Sequence, residues 1–211
     1  LENLDKYEER FHEAEENLKK SREELETVSY KLSVIRQKYS QMLTDKITEG
    51  LKDLNFLDVQ FQITFRRRKE YTAGGFDDIE YEISTNPGES LKPLGKIVSG
   101  GELSRIMLAI KAILADRDQI ETLIFDEIDT GISGRTAQKV SEKMAVIGRC
   151  HQVLCITHLP QIAAMADTHF EIEKHQKDNE TITEIHPLEG DDSVRELARL
   201  LGGAEITQAV F

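Results

Sequence analysis

Apolar residues recur every seven positions from the start of the chain to about position 45. Leu4, Phe11, Leu18, Leu25, Leu32 and Tyr39 mark one register; Tyr7, Ala14, Val28, Ile35 and Met42 mark a second, three residues on, which only Ser21 interrupts. Spacings of seven with an inner step of three align side chains along one seam of a helix, the heptad rule of a coiled coil. The stripe is narrower than that of a helix lying on its own domain, so the segment reads as an arm that pairs with another helix. No second heptad segment exists in the chain, and the partner helix is expected to come from elsewhere.

Gly50 predicts a break or hinge, and after Leu51, Leu54 and Leu57 the period changes to two. Val59, Phe61, Ile63 and Phe65 alternate with Gln60, Gln62 and Thr64; Ile79, Tyr81 and Ile83 alternate with Glu80, Glu82 and Ser84, which predicts two antiparallel strands. Between them lie Arg66, Arg67, Arg68 and Lys69, then Gly74 and Gly75, so a basic cluster is expected near a hairpin tip. Such a cluster either touches DNA phosphates or is solvated and keeps an edge from aggregating. Asn86, Pro87 and Gly88 predict a turn, and Pro93 and Gly95 extend an irregular stretch.

Beyond it, patterning predicts helices at 102–115 and 135–148 alternating with apolar strands at 121–126 and 152–157. A short helix around 160–166, two alternating strands near 168–186 and a helix at 192–201 complete the order. Helices alternating with fully apolar strands imply a parallel sheet covered on both faces, an α/β class. The expected organisation is an arm helix over 1–49 and a lobe over 50–211.

With 211 residues and 39% hydrophobic content, the chain can build a real core in only part of its length. No window approaches the roughly 20 apolar residues of a membrane helix, and the amino terminus is charged, so the expectation is a cytoplasmic protein with no membrane partner. Cys150 and Cys155 lack metal-ligand spacing and read as reduced thiols. A net charge of −12 opposes broad binding to a phosphate backbone and restricts any DNA contact to a local surface or a larger assembly.

Chemistry concentrates in three places. In Val98-Ser99-Gly100-Gly101-Glu102-Leu103-Ser104-Arg105, Ser99 and Glu102 have capping-box spacing, and Leu103, Ile106, Met107, Ile110 and Leu114 follow as a helical stripe. Two glycines at a helix start allow close backbone approach, while free amides and the positive dipole end suit an anion. Leu123, Ile124 and Phe125 run into Asp126 and Glu127, two carboxylates at the carboxyl end of a buried strand, where open α/β sheets bind ligands. Asp126 suits Mg²⁺, directly or through water, and Glu127 suits orienting and deprotonating a water. Leu154, Cys155, Ile156 and Thr157 lead to His158, a strand-end histidine able to donate to a terminal phosphate.

In this order and spacing the chain from about 50 onward resembles the ABC-type ATPases: SGGE at 99–102 is similar to their signature motif, LIFDE at 123–127 to the Walker B strand, and ITH ending at His158 to the switch histidine. The heptad arm points within that superfamily to SMC-like proteins. STNPGE at 84–89, SGGELSR at 99–105, IDTGISG at 128–134, THLPQIAA at 157–164 and RELARLLGG at 195–203 closely resemble the RecN family of bacterial repair ATPases.

The resemblance implies the carboxy-terminal lobe of an ABC/SMC-type head: a mostly parallel sheet flanked by helices, an antiparallel hairpin, and a long amino-terminal coiled-coil helix. It implies that Ser99, Gly100 and Gly101 contact the γ-phosphate of ATP held by a second copy of the head, with Glu102 the last residue of that nucleotide-binding signature motif. Asp126 then serves Mg²⁺, Glu127 is the general base and His158 senses the γ-phosphate. A D-loop role falls to Asp129, Gly131 and Ser133, where Ser133 departs from the Asp usual in SMC proteins. DNA, as ends or single-stranded regions, and a recombinase are the implied partners in double-strand-break repair and the DNA-damage response.

A P-loop requires GxxxxGK[ST]. The nearest approach, Gly88 to Gly95-Lys96, has six residues between the glycines and Ile97 in place of the hydroxyl residue. The chain therefore reads as a fragment whose P-loop lobe and second arm helix lie earlier in the polypeptide, and which alone is expected not to hydrolyse ATP. Removing that lobe is expected to expose a sheet edge and an apolar seam, with a risk of aggregation or non-native pairing. Two alternatives stand beside this reading: a head fragment of another SMC-like repair or chromosome-organising ATPase, and a non-hydrolysing scaffold.

Overall fold

The computed structural model describes residues 2–97, 99–117, 119–177 and 180–202. They form two compact units, residues 1–48 with 60–95 and residues 49–59 with 96–211. Val98 and residues 203–211, the end of the expected lobe, lie outside the described residues.

The first unit pairs most of α1 (Glu2–Asp53) with a hairpin of β1 (Gln60–Thr72) and β2 (Gly75–Ser84), to which the short β3 (Lys92–Pro93) adds antiparallel. Helix and hairpin meet through small and polar residues. Ser29 and Ser33 are buried, the Ser33 hydroxyl donates to Asp77 Oδ1 at 2.7 Å, and Arg36 Nη1 reaches Asp77 Oδ2 at 2.9 Å and the Gly74 carbonyl at 2.8 Å. Phe61, Phe76 and Ile83 of the hairpin are buried. This docking leaves most of the heptad seam uncovered: Tyr7, Phe11, Leu18, Leu25, Val28, Ile35, Tyr39 and Met42 are all exposed.

Two expectations are corrected here. The basic run is not at the hairpin tip: Arg66 to Lys69 lie within β1, and the turn falls at Ala73-Gly74. The reason is charge register, since Arg66 stands opposite Asp78 and Arg67 opposite Asp77, which lets the strand continue through the cationic residues. Likewise Gly50 is no hinge. The helix runs through it to Asp53, and the position packs against Ala109 and Ile113, whose side-chain carbons lie 3.7 and 3.9 Å from where a Cβ would stand, an ordinary contact distance. The chain turns instead at Asn55, in the left-handed region at φ 71°.

The second unit is built around α2 (Gly100–Leu114) and α3 (Gly134–Gly148), which pack beside a parallel pair, β4 (Thr122–Phe125) and β5 (Gln152–Cys155). The short α4 (Pro160–Ala163), the hairpin β6 (His169–Lys177) with β7 (Glu180–Leu188), and α5 (Asp191–Gly202) follow. Its core holds Leu51, Leu54, Ile106, Leu108, Ile128, Val140 and Ile147.

The sheet is covered on one face, not two: Ile124 and Leu154 are exposed, as is Ile156 just beyond β5, at 68%, 46% and 51%. The face α2 buries is also rotated from the expected stripe. Gly101, Arg105, Ile106, Leu108 and Ala109 are buried, whereas Leu103, Met107 and Ile110 are half-buried and Leu114 exposed. Both differences have one physical origin, an apolar surface that the described residues do not cover.

Candidate functional site

Parallel pairing of β4 with β5 brings Asp126 and His158 to the same carboxyl edge of the sheet. The start of α2 joins them there. Ser99 is its N-cap, extended at φ −80° and ψ 118°, and its Oγ accepts from the Glu102 amide at 3.4 Å. Ser99, Gly100, Asp126, Glu127 and His158 are all exposed, on a surface that a second molecule can reach.

The two glycines meet different neighbours. A Cβ on Gly100 would collide with Oε2 of Glu127, and one on Gly101 would lie 2.9 Å from the Glu127 carbonyl oxygen and 3.0 Å from Thr130 Cβ. The Glu127 carboxylate thus rests against the first turn of α2, at the positive end of its dipole. Glu127 adopts φ 55°, a left-handed conformation that costs a non-glycine residue about 1–2 kcal/mol. Such strain persists where the surroundings impose it, and clusters at functional sites.

Those surroundings are specific. The Glu127 amide donates to Asp126 Oδ1 at 2.8 Å, and Ser104 Oγ donates to the Asp126 carbonyl at 2.8 Å. Arg105, 8% exposed, sends Nη1 to the carbonyls of Ile128 at 3.3 Å and Thr130 at 2.8 Å, with its guanidinium 5.5 Å from the Phe56 ring centre. Burial pulls its pKa below the ordinary arginine value, an effect the Glu102 charge partly opposes. One helix therefore fixes both the anion-facing amides and the backbone on either side of Glu127.

Asp129 is buried at 4%, and its Oδ2 accepts from Thr157 Oγ1 at 2.6 Å and the His158 amide at 2.8 Å, while His158 Nδ1 stands 2.9 Å away. Gly131, at φ 75°, and Ser133, the N-cap of α3, continue the loop at the surface. Neighbouring Asp129 and Asp126, together with the larger effect of burial, raise the Cys155 thiol to about 12, which keeps it protonated and unreactive.

The basic run belongs to the first unit, and this site to the second. Arg66 pairs with Glu80 at 3.3 Å, Arg67 with Glu26 at 3.0 Å and Arg68 with Asp78. A hydrogen bond to Glu26 raises the Arg67 pKa further. A phosphate would have to compete with these carboxylates for the guanidinium groups.

Sequence reading placed the glycines, the acid pair and the histidine. It missed the side-chain work of Ser104 and Arg105 and the pairing of Asp129 with His158. An arginine inside an otherwise apolar helical segment was the available signal for the second. Nothing in the spacing signals a contact between loops 29 residues apart.

Asp126 presents an exposed carboxylate, which fits Mg²⁺ bound through one protein oxygen with waters and phosphates completing its shell. Among the described residues no group of three or more His, Cys, Asp or Glu side chains is arranged to cage a metal. No described helix is long and apolar enough to cross a membrane.

No family model matches the chain. It is 43% identical over 203 residues to a DNA repair protein RecN of Halalkalibacterium halodurans, covering 94% of this chain and 36% of that protein. With the same-named protein of Bacillus subtilis it shares 44% over 191 residues, covering 83% and 33%; with that of Haemophilus influenzae, 39% over 203 residues, covering 94% and 36%. The chain thus spans about a third of the length of the curated relatives it matches. Among solved structures it resembles an Smc head domain with an extended coiled coil from Pyrococcus furiosus, at a TM-score of 0.55 and 19% identity, covering 88% of this chain and 44% of that one. An Smc head with a coiled coil and joint from Pyrococcus yayanosii gives 0.53 and 20%, covering 77% and 29%. At these identities the likeness is one of fold, a head bearing a coiled coil.

Proposed function

Because the chain belongs to the RecN family of DNA repair proteins, over the third of their length that it shares with them, we propose that it supplies half of an ATP-driven head. In the complete protein, ATP binding draws two heads together and hydrolysis releases them, in the service of DNA break repair. The observation that carries this reading is the convergence of the Ser99 helix start, the Asp126 and Glu127 carboxylates and His158 on one exposed sheet edge.

In this reading the Ser99 to Gly101 backbone, with Glu102 in the same turn, receives the γ-phosphate of ATP held on the opposing head, where free amides and the helix dipole favour an anion. Asp126 would hold Mg²⁺, which when bound neutralises phosphate charge. Glu127 orients the attacking water and takes its proton. His158 donates to the terminal phosphate, and Asp129, Gly131 and Ser133 shape the loop between them. A P-loop must come from an amino-terminal lobe, so the chain alone is inactive. Ile124, Leu154 and Ile156 give that lobe an apolar surface, worth about 1.5–3 kcal/mol for each side chain it buries fully.

Glu127→Gln in the full-length protein tests the assignment. Nucleotide still binds and heads stay paired, while turnover falls by at least about 100-fold. Unchanged turnover removes Glu127 from the base role.

One observation favours a second arrangement. The Glu127 carboxylate touches the helix start of its own chain, which places anion donors and base side by side in a single molecule. In the two-head reading this carboxylate holds the position that the incoming phosphate takes over.

A further inference from the structure

Asp129 lies three residues past the Asp126 carboxylate, and one of its oxygens gathers the Thr157 hydroxyl, the His158 amide and His158 Nδ1 within 2.6–2.9 Å. The carboxyl group is 5% exposed, while the imidazole it touches is 71% exposed. A buried acid thus grips one edge of a ring whose other edge meets solvent, and Nε2 is the nitrogen left for a ligand.

The chemistry of the ring makes this grip consequential. A carboxylate only accepts, so the 2.9 Å approach of Nδ1 to Asp129 is favourable when Nδ1 carries a proton. With Nδ1–H fixed, Nε2 donates to a phosphate oxygen only in the cationic ring, whose charge Asp129 then pairs. We propose that Asp129 is the positioning residue for His158, holding Nδ1–H so that Nε2 faces the terminal phosphate. Asp129 touches no nucleotide and acts through the histidine. It also ties the loop after β4 to the end of β5, so movement of the Glu127 loop is transmitted to the ring.

The inference rests on the nucleotide reading above, and the two fail separately. In the full-length protein, Asp129→Asn removes the negative charge and puts a group that can also donate where Asp129 only accepts. Histidine ¹⁵N NMR reads the protonated nitrogens directly: with nucleotide bound, the wild type shows both ring nitrogens of His158 protonated, and the variant loses the Nδ1 proton. With that loss, kcat for ATP falls at least about tenfold, whereas KM stays within about twofold. Thr157→Val is the control, because it deletes a bond to the same oxygen without touching the ring. It lowers stability yet keeps both the Nδ1 proton and kcat.

An unaltered ¹⁵N signature in Asp129→Asn overturns the proposal, as does an equal loss of kcat in Thr157→Val, since Asp129 would then only brace the loop. His158→Ala combined with Asp129→Asn loses no more than His158→Ala alone, and additive losses also overturn it. Loss of turnover in Glu127→Gln with wild-type kcat in Asp129→Asn sinks this inference alone. Full turnover in Glu127→Gln sinks the nucleotide reading instead.

Discussion

At the scale of single residues, the two glycines opening α2 make different demands. Gly101 faces backbone and a β-branched side chain, neither of which can yield, so Gly101→Ala destabilises by about 1–3 kcal/mol in denaturant unfolding. Gly100 faces the end of the Glu127 side chain, which can swing away. Gly100→Ala therefore leaves the unfolding midpoint nearly unchanged and lowers ATP turnover in the full-length protein, because the displaced group is the carboxylate proposed as the base. Cys155 supplies a pH test. Its thiol is raised from 9.0 to about 12, so the folded state binds the proton more tightly than the unfolded chain. The resulting stability is complete below about pH 9 and is lost as pH rises toward about 12. Urea midpoints from about pH 8 to pH 11 should fall more steeply for wild type than for Cys155→Ala. Of the site, residues announced by type and spacing were legible: a glycine pair before a helical stripe, acids ending an apolar run, a histidine ending another. Arg105 and Asp129 were not, because their roles come from loops that only the tertiary fold brings together.

Elements were legible wherever period alone decides them. The heptad seam of α1, the alternation in β1 and β2, and the helix and strand order beyond residue 100 all follow from spacing. Two boundaries failed for a single reason, that partners across space override local signals. Cross-strand acids carry β1 through its arginines, and α1, packed beside Ala109 and Ile113, runs through Gly50 to Asp53. The same pairing logic gives a prediction. Asp77, 4% exposed at its side chain, joins helix to hairpin by accepting from both Ser33 and Arg36. Asp77→Ala strands both donors and costs about 2–3 kcal/mol by chemical denaturation, while Asp77→Asn costs less because an acceptor remains. Equal losses for the two would show that shape, not hydrogen bonding, holds the joint.

For the molecule as a whole, an exposed apolar sheet face, an uncovered heptad seam and an exposed edge that gathers Ser99, Asp126, Glu127 and His158 all suit the proposed part of a larger head. The decisive question is whether the Ser99 helix start serves the ATP of its own chain or of a neighbour. Two full-length variants, Ser99→Arg and Glu127→Gln, are each defective at one face of the pocket. If helix start and acid pair act on opposite heads, a mixed pair retains one intact pocket, formed by the good acid pair of one copy and the good helix start of the other. Equal mixing of the two inactive proteins then restores about a quarter of wild-type turnover, since half of the pairs are mixed and half of their pockets work. If both features serve a single chain, every pocket carries one defect, and the mixture stays as inactive as either variant alone.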